Sequence, residues 1–368
     1  MIRLTKPEIK GAAESIGEVL KDGYFVQGKR VAALEKMVAD YVGRAHAVAV
    51  SSGTSAIQCA VEGFGLGVGD EIILPDFTFP ACANAVVACG AKPVLAEIGL
   101  ETFNISVDSV VDKIGPATRA VMPVDLFGQP AELEALSEIC AGRGLILLED
   151  SACALGAALG GRKCGSFGRA SVISFHPRKV VTTGEGGMVL TDEGPLADRL
   201  RMLRNHGMCV THGRVEFVQP GYNMRMNELE ASIGIPQMAA LDVLVEKRRH
   251  IAGLYGELLA PLGEVRLPGE QDGGFHTYQS YVVLLDEALD RDGIIASMAE
   301  KGVETGIGTY SIHAQPFYMN AFGYEPGSIP GSYYAFRHSL SLPIYPSMTE
   351  GEAEQVAACL KESLRSGK

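Results

Sequence analysis

Between residues 46 and 190, seven short runs of β-branched and aliphatic residues alternate with stretches of helical periodicity, and this alternation limits the fold more than any other feature of the chain. The runs lie at 46–51, 71–77, 92–98, 120–127, 145–150, 171–175 and 186–190, with helical patterns around them, as at 31–42 and 131–142. Strand, helix and strand in repetition predict an α/β fold with a mostly parallel central sheet covered by helices on both faces. LILLED (145–150) is apolar almost throughout, as a strand buried on both faces must be. A long helical pattern follows from Asn227 to Leu258, with a kink expected at Pro236. The texture then changes. Residues 276–285 read as a strand, 290–302 as a helix, and 339–364 as strand, loop and closing helix, with Thr349 and Glu352 spaced as a capping box. The expected organisation is a large domain over 1–245 and a smaller C-terminal α/β domain over 246–368.

The net charge of -12 disfavours nucleic acid as a partner, although a local Arg/Lys pocket can still receive an anionic substrate. No stretch reaches the ~18 uninterrupted apolar residues of a membrane span. The N-terminal MIRLTKPEIKG has no apolar signal-peptide region, so a cytoplasmic protein without a membrane partner is expected. The eight cysteines form no CxxC pair and read as free thiols in a reducing compartment. His206, Cys209 and His212 fall close together, but without a carboxylate or fourth ligand, in a glycine-flanked stretch that reads as a loop; no metal is expected there.

Ligands of α/β sheets gather beyond the carboxyl ends of the strands. Four segments occupy such places. In SSGTSA (51–56), Gly53 permits a tight turn, and Thr54 and Ser55 offer hydroxyl and N–H groups at a helix start, where an anion is favoured. An ordinary N-cap is the plainer reading of this segment taken alone. In LLEDSACALGA (147–157), Asp150 ends an apolar strand, a costly place for a carboxylate without a cationic partner unless it caps a helix. SFHPRKVVTTGEGGMVLT (174–191) holds Ser174, which can contact a phosphate, and Lys179 in a loop, where a lone lysine is ordinarily solvated. PGYNMRMNELEA (220–231) places Asn223 and Arg225 just ahead of the long helix, where capping and surface charge are the plain alternatives.

Taken singly, none of these segments is decisive; their order and spacing are. GTSA, PDFTF, DLFGQPA, EDSACALGA, SFHPRKVVTTGEGG, LRNHG, GYNMRM and SLPIYP stand in an order that resembles the DegT/DnrJ/EryC1/StrS aminotransferases, mostly nucleotide-sugar aminotransferases of fold type I, over nearly the whole chain. The resemblance implies the pyridoxal-5'-phosphate (PLP)-dependent transferase fold, with Lys179 carrying PLP as a Schiff base and Asp150 pairing with its pyridine nitrogen. It implies that Phe79 stacks on the ring and that Thr54 and Ser55, beside Gly53, hold the phosphate with Ser174. It places Asn223 at the cofactor of a neighbouring subunit in a homodimer with shared active sites, and Arg225 and His313 on the substrate side. One position departs from the commonest family pattern: Cys153 stands where many members have glutamine, and a thiol is the poorer hydrogen-bond partner.

The reaction so implied moves an amino group from glutamate to a keto-sugar, most often a nucleotide-linked 3- or 4-keto-sugar, for amino-sugar and polysaccharide biosynthesis. PLP supplies an electron sink and the protein binds, orients and tunes it. Lys179 moves a proton and Asp150 keeps the ring nitrogen protonated. A sugar dehydratase of the same family is the nearest alternative, but it has histidine in place of the lysine. An aminotransferase for a keto-cyclitol or other non-nucleotide keto-sugar is the other alternative, since the resemblance extends to a few members that aminate keto-cyclitols.

Overall fold

The computed structural model describes residues 1–366. The seven runs form a single sheet: β1 (His46–Val50), β2 (Glu71–Pro75), β3 (Lys92–Ala96), β4 (Thr118–Val121), β5 (Ile146–Asp150), β6 (Ala170–Ser174) and β7 (Gly187–Thr191), in the spatial order β1-β7-β6-β5-β4-β2-β3. Every neighbouring pair from β6 to β3 is parallel; β7 alone runs against both its neighbours. The sheet is therefore mostly parallel, and its β2, β5 and β6 ends open on one rim.

Helices cover both faces because both faces of the strands are apolar. Val48, Ile72, Leu74, Leu148 and Val172 pack with the helices Gly53–Gly63, Ala81–Ala88 and Gly194–Leu203. Ala49, Ile173, Met188 and Leu190 face the helices Lys29–Val42 and Glu228–Ala239 on the other side. Each aliphatic side chain so buried contributes about 1.5–3 kcal/mol.

The helical pattern ahead of the second half breaks elsewhere than expected. Pro236 lies inside the helix Glu228–Ala239, and the chain turns at Ala240 (φ -107°, ψ 6°) before the helix Leu241–Leu259. Leu241, Leu244 and Val245 pack in the large core, whereas Ile251, Ala252, Tyr255 and Leu259 pack in a separate core. That second core surrounds a small antiparallel sheet in the order Val265–Arg266, Tyr281–Leu285, Ser339–Leu342, Gly306–Ile307. The closing helix Glu350–Ser366 covers it, and Thr349 and Glu352 exchange the two expected capping bonds.

Three local expectations need correction. The run 120–127 is a strand only to Val121. Beyond Val124 it turns through Leu126–Gly128, with Phe127 at φ 60°, so that Asp125 can meet the end of β5. The run 276–285 is a strand only from Tyr281. Its first residues bond to the chain at 127–128 instead of a ladder, Thr277 N–H to the Gly128 carbonyl (3.0 Å) and Ser280 N–H to that of Phe127 (3.3 Å). The expected loop around Cys209 is a β-hairpin, Met208–Thr211 against Arg214–Phe217, and its two strands pair only with each other. Among the described residues no helix is long and apolar enough to cross a membrane.

Candidate active site

The β5 rim carries the first half of the site. Asp150 is buried, its Oδ1 accepts the N–H of Ala152 (3.0 Å), and its backbone is bonded on both sides to the segment 123–125. Burial pushes its carboxyl up to about 6; the Ala152 bond and the charge of Lys179 pull it only part of the way back. Behind it, Ser151 donates to Asp125 (2.9 Å), and Asp125, Glu149 and Cys164 form a buried trio. Glu149 accepts the N–H groups of Gly165 (2.6 Å) and Phe167 (2.9 Å), and Asp125 accepts that of Ala131 (2.9 Å). These bonds make the trio a brace for the β5 end.

The second half comes from the loop between β6 and β7. Lys179 Nζ lies 2.8 Å from Cys153 Sγ. Two residues 26 positions apart in the chain thus meet at the rim where Asp150 ends its strand, and Asp150 responds to the charge of Lys179. Ser174, buried at the end of β6, faces Gly53: a Cβ on Gly53 would come within 2.8 Å of the Ser174 Cβ. Gly187 is required for the same approach, since a Cβ there would fall 2.2 Å from the Ser52 carbonyl oxygen. The last glycine of GEGG therefore does more than turn the chain: it lets β7 lie against the start of the helix Gly53–Gly63.

At that helix start, Ser52 is the cap and accepts the N–H of Ser55 (3.1 Å). The Ser55 hydroxyl is shared with those of Ser51 (3.1 Å) and Ser52 (2.9 Å), while Thr54 is exposed. Ser51 and Ser52 belong to this hydroxyl cluster, and the TSA-centred reading of the motif missed their part in it. Phe79 is 64% exposed and meets Tyr310 edge-on at 6.3 Å between centroids. The Phe79 carbonyl accepts from the Cys82 thiol (3.3 Å), whose ionisation is disfavoured by burial and by the charge of Asp150. Phe79 thus presents an open ring on the same rim.

Asn223 is exposed, and Arg225 Nη1 donates to Asn205 Oδ1 (2.6 Å). The two residues flank an extended segment that bridges β1 through Val50 and Arg225. His313 is different. It is completely buried; its Nδ1 bonds to Asp76 Oδ2 (2.7 Å) and its Nε2 accepts the N–H of Gly327 (3.1 Å). Both ring nitrogens are occupied by the protein, which leaves none for a substrate. His206, Cys209 and His212 are spread over the hairpin and do not form a ligand cluster; among the described residues Asp125, Glu149 and Cys164 are the only such group.

The residues fit PLP on observations internal to this chain. Burial raises the Asp150 carboxyl to about 6 and so penalises its charge, and a protonated ring nitrogen beside it would offset that penalty. Gly53 and Gly187 let Ser174 and β7 pack closely against a helix N-terminus, whose N–H groups suit a phosphate. Lys179 ends at the same rim with its amine against a thiol rather than a carboxylate.

Fold and site together define a PLP-dependent aminotransferase. The chain belongs to the DegT/DnrJ/EryC1/StrS aminotransferase family, whose model matches residues 8–361. It is 34% identical to the spore coat polysaccharide biosynthesis protein SpsC of Bacillus subtilis, covering 97% of this chain and 95% of that one. It is 33% identical to a GDP-perosamine synthase of Vibrio cholerae, covering 98% of each. Among solved structures, the aminotransferase TlmJ of Streptoalloteichus hindustanus superposes with a TM-score of 0.93 at 33% identity, over 100% of this chain and 99% of that one.

Proposed function

We propose that this aminotransferase moves an amino group from glutamate to a nucleotide-linked 3- or 4-keto-sugar in the cytoplasm, with Lys179 as the residue that carries PLP as a Schiff base. The observation that carries the reading is the convergence of Lys179, Cys153 and Asp150 on one rim, with the acid lifted to about 6 by burial. The sugar assignment draws on the GDP-perosamine synthase similarity.

PLP, when bound, supplies the electron sink. The protein's own part follows from its residues. Asp150 would sit against the ring nitrogen and hold a proton there. Lys179 would carry PLP, and its amine would move a proton at the substrate carbon, with the Cys153 thiol in weak hydrogen-bond contact with its Nζ. Ser51, Ser52, Ser55 and Ser174 bind phosphate with the N–H groups after Gly53, and Thr54 adds a hydroxyl at the exposed side. The open ring of Phe79 would cover one face of the cofactor ring.

Asn223 and Arg225 complete the neighbouring subunit's site in a homodimer. The exposed hairpin supports this: Val210, Val215 and Phe217 stand 68%, 58% and 68% exposed on an arm that nothing in the described chain covers, just before Asn223. Mixing Lys179→Ala and Asn223→Ala chains then regenerates one intact site per heterodimer, and at limiting PLP the mixture exceeds either parent; no gain on mixing refutes the shared site. The function itself is tested by incubating the enzyme with glutamate and a set of nucleotide-linked 3- and 4-keto-sugars, read as the mass change of ketone to amine. Amination of only free keto-sugars or keto-cyclitols would overturn the nucleotide assignment.

A further inference from the structure

The loop that carries Lys179 is gripped by two buried glutamine side chains. Gln237, from the helix Glu228–Ala239, clasps Thr182 reciprocally: its Oε1 accepts the Thr182 N–H (3.1 Å) and its Nε2 donates to the Thr182 carbonyl (2.7 Å). Gln279 reaches in from the segment that leads into the small sheet, and its Nε2 donates to the Arg178 carbonyl (2.7 Å). That carbonyl belongs to the peptide unit whose N–H is the one of Lys179, and this N–H donates to the His176 carbonyl (2.8 Å). A peptide unit is planar. Held at its oxygen and at its nitrogen, it sets the direction in which the Lys179 side chain leaves the backbone.

Gln279 is itself anchored. Arg248, only 1% exposed and, among the described residues, without a carboxylate partner, donates through Nη1 to the carbonyls of Gln279 (3.2 Å) and Ile344 (3.0 Å). Burial pushes its guanidinium down to about 10, so the group is kept in an unfavourable place where it ties two segments of the second core together. Tyr278, at φ 48°, turns the chain so that Gln279 points back to the loop, and Thr277 and Ser280 fasten the turn to residues 127–128. The irregular stretch 276–280 thus departs from a strand at the place where it reaches Lys179.

We infer that Gln279 is a positioning residue for Lys179, through which the C-terminal part of the chain sets the reach of the lysine amine toward its carbonyl partners. The inference rests on Lys179 being the cofactor-bearing lysine. Because a displacement of about 1 Å in a reacting group can cost on the order of 100-fold, and because a single neutral hydrogen bond is at stake, the expected loss is about tenfold.

Gln279→Met, of similar length but without a donor, is compared with Gln279→His, which restores an N–H of similar reach. Cofactor-free protein is mixed with PLP. The growth of visible absorbance is followed, and the fraction fixed on residue 179 by borohydride is mapped by peptide mass. Gln279→Met is expected to link PLP about tenfold more slowly and to lower kcat about tenfold, with KM for the keto-sugar unchanged and the melting temperature near that of the parent; Gln279→His is expected to recover most of both rates. Parent-like linkage and kcat in Gln279→Met overturn the inference. So does a loss that tracks the melting temperature and is not recovered by histidine. Should Gln279→Met fail to fold, Gln279→Asn, too short to span to the Arg178 carbonyl, carries the same readings. A Lys179→Ala control separates the two claims: if it still yields a borohydride-fixed adduct and turns over, the assignment of Lys179 is what fails.

Discussion

Asp76 and Asp150 are both buried acids at the carboxyl rim of the same sheet, one just beyond β2 and the other ending β5, yet the protein treats them oppositely. Asp76 is saturated. Its Oδ2 accepts from the Ser311 hydroxyl (2.6 Å) and His313 Nδ1 (2.7 Å), and its Oδ1 accepts the His313 N–H (2.6 Å). It joins the rim to the segment Tyr310–Ser311, which pairs with Phe77–Thr78 beside it. Asp150 accepts one N–H in its side chain and sits lifted to about 6. A buried acid whose partners are all supplied by the chain is a fastening. One left short of partners is a candidate to receive a ligand that brings a positive charge, the role proposed for Asp150.

The largest expected effects separate these roles by readout. Asp150→Ala should lower turnover by roughly 100- to 10,000-fold, the span of a lost acid–base group, while the melting temperature stays near the parent's. Comparable turnover in variant and parent would remove the functional half of the contrast. Asp76→Ala should do the reverse. It strands His313 and Ser311 in the interior and should cost about 3–5 kcal/mol of stability, as breaking a buried polar pair does, measured by denaturant unfolding. A stable Asp76→Ala protein with a raised KM would instead place this knot in the substrate site.

A pH series sharpens the same contrast. The Asp150 carboxyl rises on folding from the ordinary value of 3.8 to about 6, so its ionisation disfavours the cofactor-free fold as pH increases through that window. A bound cation opposite it reverses this penalty. PLP affinity should therefore fall as pH drops through about 6, by at most about tenfold per pH unit. The cofactor phosphate titrates in the same range, so the informative quantity is the difference from Asp150→Asn, which should lack this component. Identical pH profiles in the two proteins would show that Asp150 does not titrate against the cofactor.

The smallest effect belongs to Cys153→Gln. A thiol contact to Lys179 is weak, and an amide of greater reach can replace it. Turnover should change by no more than about fivefold, within the worth of one neutral hydrogen bond. A loss of a hundredfold or more would make the thiol an essential partner of Lys179 rather than a tolerated one.

Much of the fold was legible because it rests on local periodicity. All seven sheet strands lie within a few residues of their apolar runs, and Thr349 with Glu352 caps the closing helix as spaced. The errors occur where bonding is long-range. The strand-like run 276–285 does not reveal that the N–H groups of Thr277 and Ser280 bond to residues 127–128, some 150 positions away. The hairpin at 208–217 was unreadable because its apolar side chains point into no core of their own chain. His313 looked like a substrate residue in IHAQPF, and nothing local announces that Asp76 and Gly327 occupy its ring.

Sequence alone determined the family and the α/β class, and it singled out Lys179 and Asp150 as the candidate pair, since these depend on residue types at set spacings within motifs. Tertiary structure decided which polar groups are satisfied. It placed Cys153 against Lys179, closed His313 and Asp76 on each other, made Gly187 a point of contact with Ser52, and carried Gln279 to the loop of Lys179. The physical reason is that hydrogen-bond saturation is a property of the three-dimensional surroundings. Residues 26, 237 or 101 positions apart compete for the same donors and acceptors only once the chain has folded.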